Sequence, residues 1–283
     1  MEQIVLHDGN VIPAVGFGVF LIPNHGPAYT AVREALRVGY RHIDGAAVYL
    51  NESDVGRAVR DSGLPREEIF VTSKLWLQDF AYADAKKAID TTLQNLGLDY
   101  LDLYLIHQPY GKVDEAWRAM EEAQRAGKIK SLGVSNMTPK IWNAFVPHFA
   151  TLPTVNQVEC HPFFQQRELR QLLEPLQVKI EAYYPLCHGS AALLGQETVT
   201  ALAAKYGKTA AQILLRFEVQ DGLIVLPKSV QPERIAANID IFDFALSDAE
   251  MAAMRALDTG SGVHDPDRPG VAESLLARYK VHD

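Results

Sequence analysis

Residues 101–135 read LDLYLIHQPYGKVDEAWRAMEEAQRAGKIKSLGVS, and this stretch decides the fold. LDLYLIH is an apolar run of strand length, EAWRAMEEAQRAGK has a helical pattern, and IKSLGVS is a second strand. A strand, a helix and a strand in succession imply parallel strands covered by a helix. Outward toward the N-terminus the same alternation holds: PAYTAVREALRVG (27–39) is helical, YRHID (40–44) a strand, ESDVGRAVRDSG (52–63) helical, EEIFVTSK (67–74) a strand and ADAKKAIDTTLQNLG (83–97) helical. Outward toward the C-terminus, PKIWNAFVPHF (139–149) is a helix, TVNQVE (154–159) a strand, QRELRQLLEPL (166–176) a helix and VKIEAYYP (178–185) a strand. The helices TVTALAAKYG (198–207) and 210–219 lead into the strand GLIVLPKS (222–229). A last helix begins near Pro232, where PERIAAN starts. Before the series, QIVLHDGNVIPA (3–14) is a hairpin with Asp8-Gly9 at its turn.

With a first strand near VGFG (15–18), the count is about eight strands, the number of a (β/α)8 barrel. No Pro/Gly/Ser-rich linker or charge run splits the series. Residues 1–283 are therefore expected to form one α/β domain: a (β/α)8 TIM barrel with an N-terminal β-hairpin and an extra C-terminal helix or loop. An open doubly wound sheet binding a dinucleotide would carry G-x-G-x-x-G between a strand and a helix. Gly16-Phe17-Gly18 is followed by Val19, Phe20 and Leu21, so that fingerprint is missing.

The chain has 283 residues, 48% hydrophobic and 22% charged, ordinary values for a globular protein. Disordered, collagen-like and disulfide-scaffold classes are excluded. Lys and Arg number 27 against 35 Asp and Glu, a net charge of −8. An acidic chain with no basic run is a poor nucleic-acid binder. Cys160 and Cys187 read as free thiols of a reducing compartment. No apolar stretch approaches the ~18 residues of a membrane span, and MEQIVLHDGN lacks a signal-peptide core. A cytoplasmic protein without a membrane partner is expected.

In a barrel of this kind the active site forms at the C-terminal ends of the strands. YRHI ends at Asp44, IFVTS at Lys74, LDLYLI at His107 and SLGV at Ser135-Asn136. TVN runs into Gln157 and Glu159, KIEA ends at Tyr183-Tyr184, and LIVLP at Lys228-Ser229. Each alone is most simply a loop-edge residue; in succession at one rim they make a poor accident. Asp44, Lys74 and His107 come from successive strands, and Tyr49 lies in the following loop DGAAVYLNE (44–52). A free tyrosine is a weak acid, with a pKa near ~10. A neighbouring ammonium favours phenolate, and Asp44 can hold Lys74 in place. His107 can donate a hydrogen bond to a substrate oxygen. The set suits proton delivery to an oxyanion forming from a carbonyl. The plainer alternatives are a structural Lys74–Asp44 ion pair, a core histidine at 107, or a Zn²⁺ or Mg²⁺ site. A metal site is weakened by Lys74 as a competing cation and by the lack of H-x-H or H-E-x-x-H. Glu159-Cys160-His161 reads as a structural turn leading into Pro162.

With YRHIDGAAVYLNE, VTSKLW, DLYLIHQP, GVSNM, NQVECHP, AYYPL and PKSVQPERIAAN in this order, the chain resembles the aldo-keto reductase superfamily. It is most similar to short prokaryotic reductases of the 2,5-diketo-gluconic acid type. The resemblance implies NADPH-dependent reduction of a carbonyl to an alcohol, with no metal. It implies Tyr49 as general acid, Lys74 and Asp44 as its support, and His107 orienting the carbonyl. Tyr183 matches the tyrosine that stacks on the nicotinamide; Ser135, Asn136 and Gln157 match the residues that hold its carboxamide. Lys228, Ser229 and Arg234 match the group around the adenosine 2′-phosphate, and Asn238 the adenine contact. Arg and Lys beside a helix N-terminus suit that anion.

There are departures from the family pattern. Gly45 replaces a threonine, Gln108 an aromatic, Tyr184 a serine and Ala237 an acid. Phe20, Leu50, Trp76 and His107 are the expected substrate contacts. The fourth loop, QPYGKVDEAW (108–117), is short. The short tail after Asp258, with Gly260, Gly262, Pro266 and Pro269, predicts an irregular path and an open, shallow site. A monomer acting on small aldehydes, dicarbonyls or keto-sugars is expected. The rival is a non-catalytic NADP-binding scaffold or regulatory barrel, against which the intact Asp44, Tyr49, Lys74 and His107 speak.

Overall fold

The computed structural model describes residues 2–282. Strands β1 (Gln3–Val5) and β2 (Val11–Pro13) form the expected antiparallel hairpin, with Ile4 opposite Ile12. Its buried side chains, Leu6 and Ile12, pack with Phe70, Leu103, Leu105, Val155 and Ile224 inside the barrel. The hairpin thus plugs the mouth opposite the strand C-termini.

Eight parallel strands follow: β3 (Phe17–Gly18), β4 (His42–Asp44), β5 (Phe70–Leu75), β6 (Leu101–Ile106), β7 (Ile129–Ser135), β8 (Val155–Glu159), β9 (Lys179–Tyr183) and β10 (Ile224–Leu226). Each pairs with its neighbour in chain order. The outer two meet where Val15 bridges Val225. There Gly16 N donates to Val225 O at 2.8 Å and Gly18 N to Pro227 O at 3.2 Å. A closed sheet has no open edge to satisfy.

Side chains alternate across a strand, and parity decides what the barrel holds. Ile43, Val71, Tyr104, Ile106, Val134, Ile180 and Ala182 face outward, into the core shared with the surrounding helices. The opposite parity puts His42, Asp44, Thr72, Lys74, Gln157 and Glu181 inside. Register sets Asp44 beside Thr72, Lys74 beside Leu105, Ser135 beside Gln157 and Gln157 beside Glu181. The barrel is therefore apolar at the hairpin end and polar toward the rim. His42 fits because residue 16 is glycine: a Cβ there would come within 2.5 Å of His42 Nδ1.

The helix Pro232–Ile239 is not the last. Asp248–Arg255 follows, opened by a capping box between Ser247 and Glu250, and then Val271–Arg278. Nor is the tail loose. Glu159, buried at the end of β8, accepts from Val263 N at 2.8 Å and His264 N at 2.9 Å. Tyr110 Oη donates to Pro266 O at 2.8 Å, and Trp76 Nε1 to Tyr279 O at 3.2 Å. Gln78 Oε1 accepts from Val281 N at 2.8 Å. From 256 to 270 the path is irregular, as its composition predicts, with turns and bends and no helix or strand, and tertiary bonds to distant side chains hold it. Through Trp76 and Glu159 the tail is tied to the strand ends that carry the polar rim. Among the described residues no helix is long and apolar enough to cross a membrane.

His42 makes acid stability testable. Burial and the nearby Lys74 push its pKa down to about 3. The unfolded chain binds that proton near ~6.5, so stability present above this pH is lost as pH falls toward the folded value. At pH 5 the loss from this residue is about 2 kcal/mol. Urea unfolding at pH 7 and pH 5 should show His42→Asn losing about 2 kcal/mol less than wild type on acidification. An identical loss in both proteins would refute it.

Candidate active site

β4 and β5 end side by side, which brings Asp44 and Lys74 together. Lys74 Nζ donates to Asp44 Oδ1 at 2.6 Å and to Gly45 O at 2.9 Å. Its side chain is wholly buried. After β4 the chain makes a short 3-10 turn, Ala47–Tyr49, and Leu50 follows at φ +57°. This reversal carries the partly buried Tyr49 back over the rim, with Oη 3.4 Å from Lys74 Nζ. His107 follows β6, tied down as its N donates to Leu75 O at 3.1 Å. Its ring meets Tyr49 edge-on at 5.6 Å and Trp76 at 5.1 Å. Phe20 packs on Tyr49 at 5.0 Å. Tyr49, Lys74, Asp44, His107, Phe20 and Trp76 are thus one constellation. Leu50 stands more than half exposed at its edge.

The electrostatics differ from the sequence expectation in one respect. Burial, then the charge of Asp44 and, where they ionise, those of Tyr184 and Glu181, push the Tyr49 phenol well above its ordinary range. The ammonium does not reverse this, because it is engaged at 2.6 Å by Asp44 and stands farther from the phenol. Burial and Lys74 push His107 well below the ordinary histidine range, so its imidazole is neutral at pH 7.

The next three strands bring a second group to the same rim. Ser135 Oγ donates to Gln157 O at 2.8 Å. Asn136, at φ +60°, donates from Nδ2 to His107 O and to Ser135 Oγ, both at 3.0 Å. Its Oδ1 accepts from Tyr183 Oη at 2.7 Å. Gln157 Nε2 donates to Asp44 Oδ2 at 2.8 Å and to Glu181 Oε2 at 2.6 Å. Beyond β10, Lys228 and Arg234 are exposed, while Ser229 and Asn238 are buried. Ser229 Oγ accepts from Gln231 N at 3.1 Å, just before the helix Pro232–Ile239.

The four departures differ in effect. A Cβ at Gly45 would meet only Thr72 O at 3.6 Å and Val19 Cγ2 at 3.8 Å, so space does not demand glycine there. Tyr184, at φ +54°, packs its ring on His188 at 3.6 Å and near His264 at 5.8 Å. It joins the loop after β9 to the tail. Nothing in the structure explains Gln108 or Ala237.

Sequence reasoning missed His42 and Glu181. Burial pushes the Glu181 carboxyl up to about 8, aided by Asp44. His42 Nε2 lies 3.6 Å from Glu181 Oε1. The opposed shifts make this contact a carboxylic acid beside a neutral imidazole rather than an ion pair. Counting parity back from Asp44 and Tyr183 would have found both residues. Glu159 and His161 bond to each other at 3.1 Å. Among the described residues no group of three His, Cys, Asp or Glu is placed to hold a metal.

The family model described as "Aldo/keto reductase family" matches residues 23–259. Methylglyoxal reductase DkgA of Escherichia coli K12 is 42% identical over 271 residues, covering 94% of this chain and 98% of that protein. Glyoxal reductase of Bacillus subtilis is 42% identical over 258 residues, covering 91% and 93%. The crystal structure of an aldo/keto reductase from Brucella melitensis superposes with a TM-score of 0.87 at 44% identity, covering 91% of this chain and 99% of that one.

The neutral state of His107 has a kinetic signature. Protonation well below pH 6.5 means that kcat/KM of any reaction at this site should be level between pH 6 and 7. An acid limb near pH ~6.5 that disappears in His107→Gln would show a histidine of ordinary pKa instead.

Proposed function

Because this chain belongs to the aldo/keto reductase family and is an oxidoreductase acting on carbonyl groups, we propose that it reduces small aldehydes, dicarbonyls or keto-sugars to alcohols with NADPH. The reading is carried by one observation: a phenol with Oη 3.4 Å from a buried ammonium, its ring edge-on to a neutral imidazole. Methylglyoxal and glyoxal, named for two relatives, are both small dicarbonyls and support that substrate class.

The donor set fits a nicotinamide dinucleotide. Ser135, Asn136 and Gln157 are uncharged hydrogen-bonding groups, the type that an uncharged carboxamide needs. Tyr183 supplies an aromatic face next to them. Lys228 and Arg234, both exposed, flank Ser229 at the start of a helix, where a phosphate is favoured. When bound, NADPH supplies the hydride that reaches the carbonyl carbon.

The chain's own groups manage the oxygen. His107 donates an N–H to the carbonyl oxygen and orients it between Tyr49 and Trp76. Tyr49 Oη gives its proton to the same oxygen. The hydroxyl is protonated at neutral pH, and a forming alkoxide is more basic than a phenolate, so the proton moves to the alkoxide; the raised pKa of Tyr49 makes it a weaker acid and reduces that driving force. Lys74, fixed by Asp44, stabilises the phenolate left behind. Phe20, Trp76 and Leu50 wall the pocket with apolar surface and favour small uncharged substrates.

Purified protein mixed with NADPH and methylglyoxal should consume NADPH. Tyr49→Phe should lower kcat by about 10²–10⁴-fold with NADPH binding retained, the share of a positioned acid. Normal kcat in that variant would refute the assignment. Arg234→Ala should raise KM for NADPH about tenfold or more and barely change that for NADH. Equal effects would remove the 2′-phosphate role.

A further inference from the structure

Beneath the residues that handle the substrate lies a second polar layer that the mechanism above leaves unused. Glu181 is fully buried on β9, facing the barrel interior. We propose that Glu181 is a positioning residue for proton donation by Tyr49, acting through Gln157 on the Asp44–Lys74 pair. The inference rests on the carbonyl-reduction reading given above.

The geometry forms a chain. Glu181 Oε2 accepts one hydrogen of Gln157 Nε2 at 2.6 Å, and Asp44 Oδ2 accepts the other at 2.8 Å. Asp44 Oδ1 holds Lys74 Nζ at 2.6 Å, and Nζ lies 3.4 Å from Tyr49 Oη. One amide group is thus stretched between two carboxyls, which fixes its plane and leaves Asp44 a single orientation toward the ammonium. Without an acceptor at 181, Gln157 could swing off Asp44. Errors of position near a reacting bond are costly, about 10²-fold for 1 Å.

The charge state of Glu181 matters as much as its place. It is faced from β4 by His42 and Asp44, from the turn after β4 by Tyr49, from β5 by Lys74, and from β8 by Gln157; its register neighbour on β10, Ile224, is apolar. His42 is neutral, so Asp44 and Lys74 already balance. Burial and Asp44 keep Glu181 protonated at neutral pH, and it ionises on passing about 8. That ionisation adds an anion next to a site where phenolate must form. Its charge raises the Tyr49 pKa further, so proton donation weakens. The layer therefore sets an alkaline limit on reduction.

The test is steady-state reduction of methylglyoxal by NADPH from pH 6 to pH 9.5, with Glu181→Gln and Glu181→Leu beside wild type. Wild-type kcat should fall as pH passes about 8, and Glu181→Gln, which cannot ionise but keeps an acceptor, should lack that limb. At pH 6–7 Glu181→Leu should lose about tenfold or more in kcat, and Glu181→Gln should restore most of it. In the ligand-free protein, carbon NMR of labelled glutamate should show a carboxyl titrating near 8 that is absent from Glu181→Gln. An active wild type whose alkaline limb survives in Glu181→Gln overturns this proposal alone. A wild type inert toward carbonyls overturns the reduction reading and this proposal with it. Should Glu181→Leu fail to fold, the Glu181→Gln profile and the NMR titration still decide.

Discussion

A lysine ammonium inside a β-barrel is the constraint on which the rest depends. Lys74 has no exposure to water and a single carboxylate at 2.6 Å. Removing one partner of such a pair costs about 3–5 kcal/mol, because the other charge is left unbalanced. The pair is therefore no optional ornament of the rim. It dictates that Asp44 be held from its other oxygen, that Gly45 turn its carbonyl inward, and that neighbouring ionisable groups stay neutral. His42 and His107 are both pushed toward the uncharged form by burial and by this same ammonium.

Seen this way, the interior keeps a charge balance in which one cation meets one anion and other titratable groups bend to fit. Tyr49 stays a phenol and His107 stays an imidazole. A protonated phenol and a neutral N–H donor are what the proposed reduction asks of these two positions. Both neutral states follow from the same desolvation that makes the core hard to build.

Much of this was legible in the sequence, for identifiable reasons. Hydrophobic strands that stop at Asp44, Lys74 and His107 are local patterns, and barrel topology turns three separate endings into one cluster. The loop length from Asp44 to Tyr49 suffices to bring the phenol back over the rim. The unread parts are tertiary. The direction of the Tyr49 shift depends on how deeply the hydroxyl is buried and on which oxygen holds the ammonium, and neither is encoded nearby. The irregular path of the tail was legible, but not its anchoring, which comes from Glu159, Tyr110, Trp76 and Gln78, all more than a hundred residues away in sequence. Glu181 lies in mid-strand, and its role depends on partners from β4, β5 and β8 that no local pattern announces.

The seam between β3 and β10 bears on how the molecule is born. Gly16 and Gly18 find their partners only at Val225 and Pro227, more than two hundred residues later in synthesis. A nascent chain on the ribosome therefore carries unsealed strand borders for most of its translation, and such borders invite pairing with other chains. Closure is a late, long-range event that waits for Val225 and Pro227 to emerge, so this fold ripens slowly.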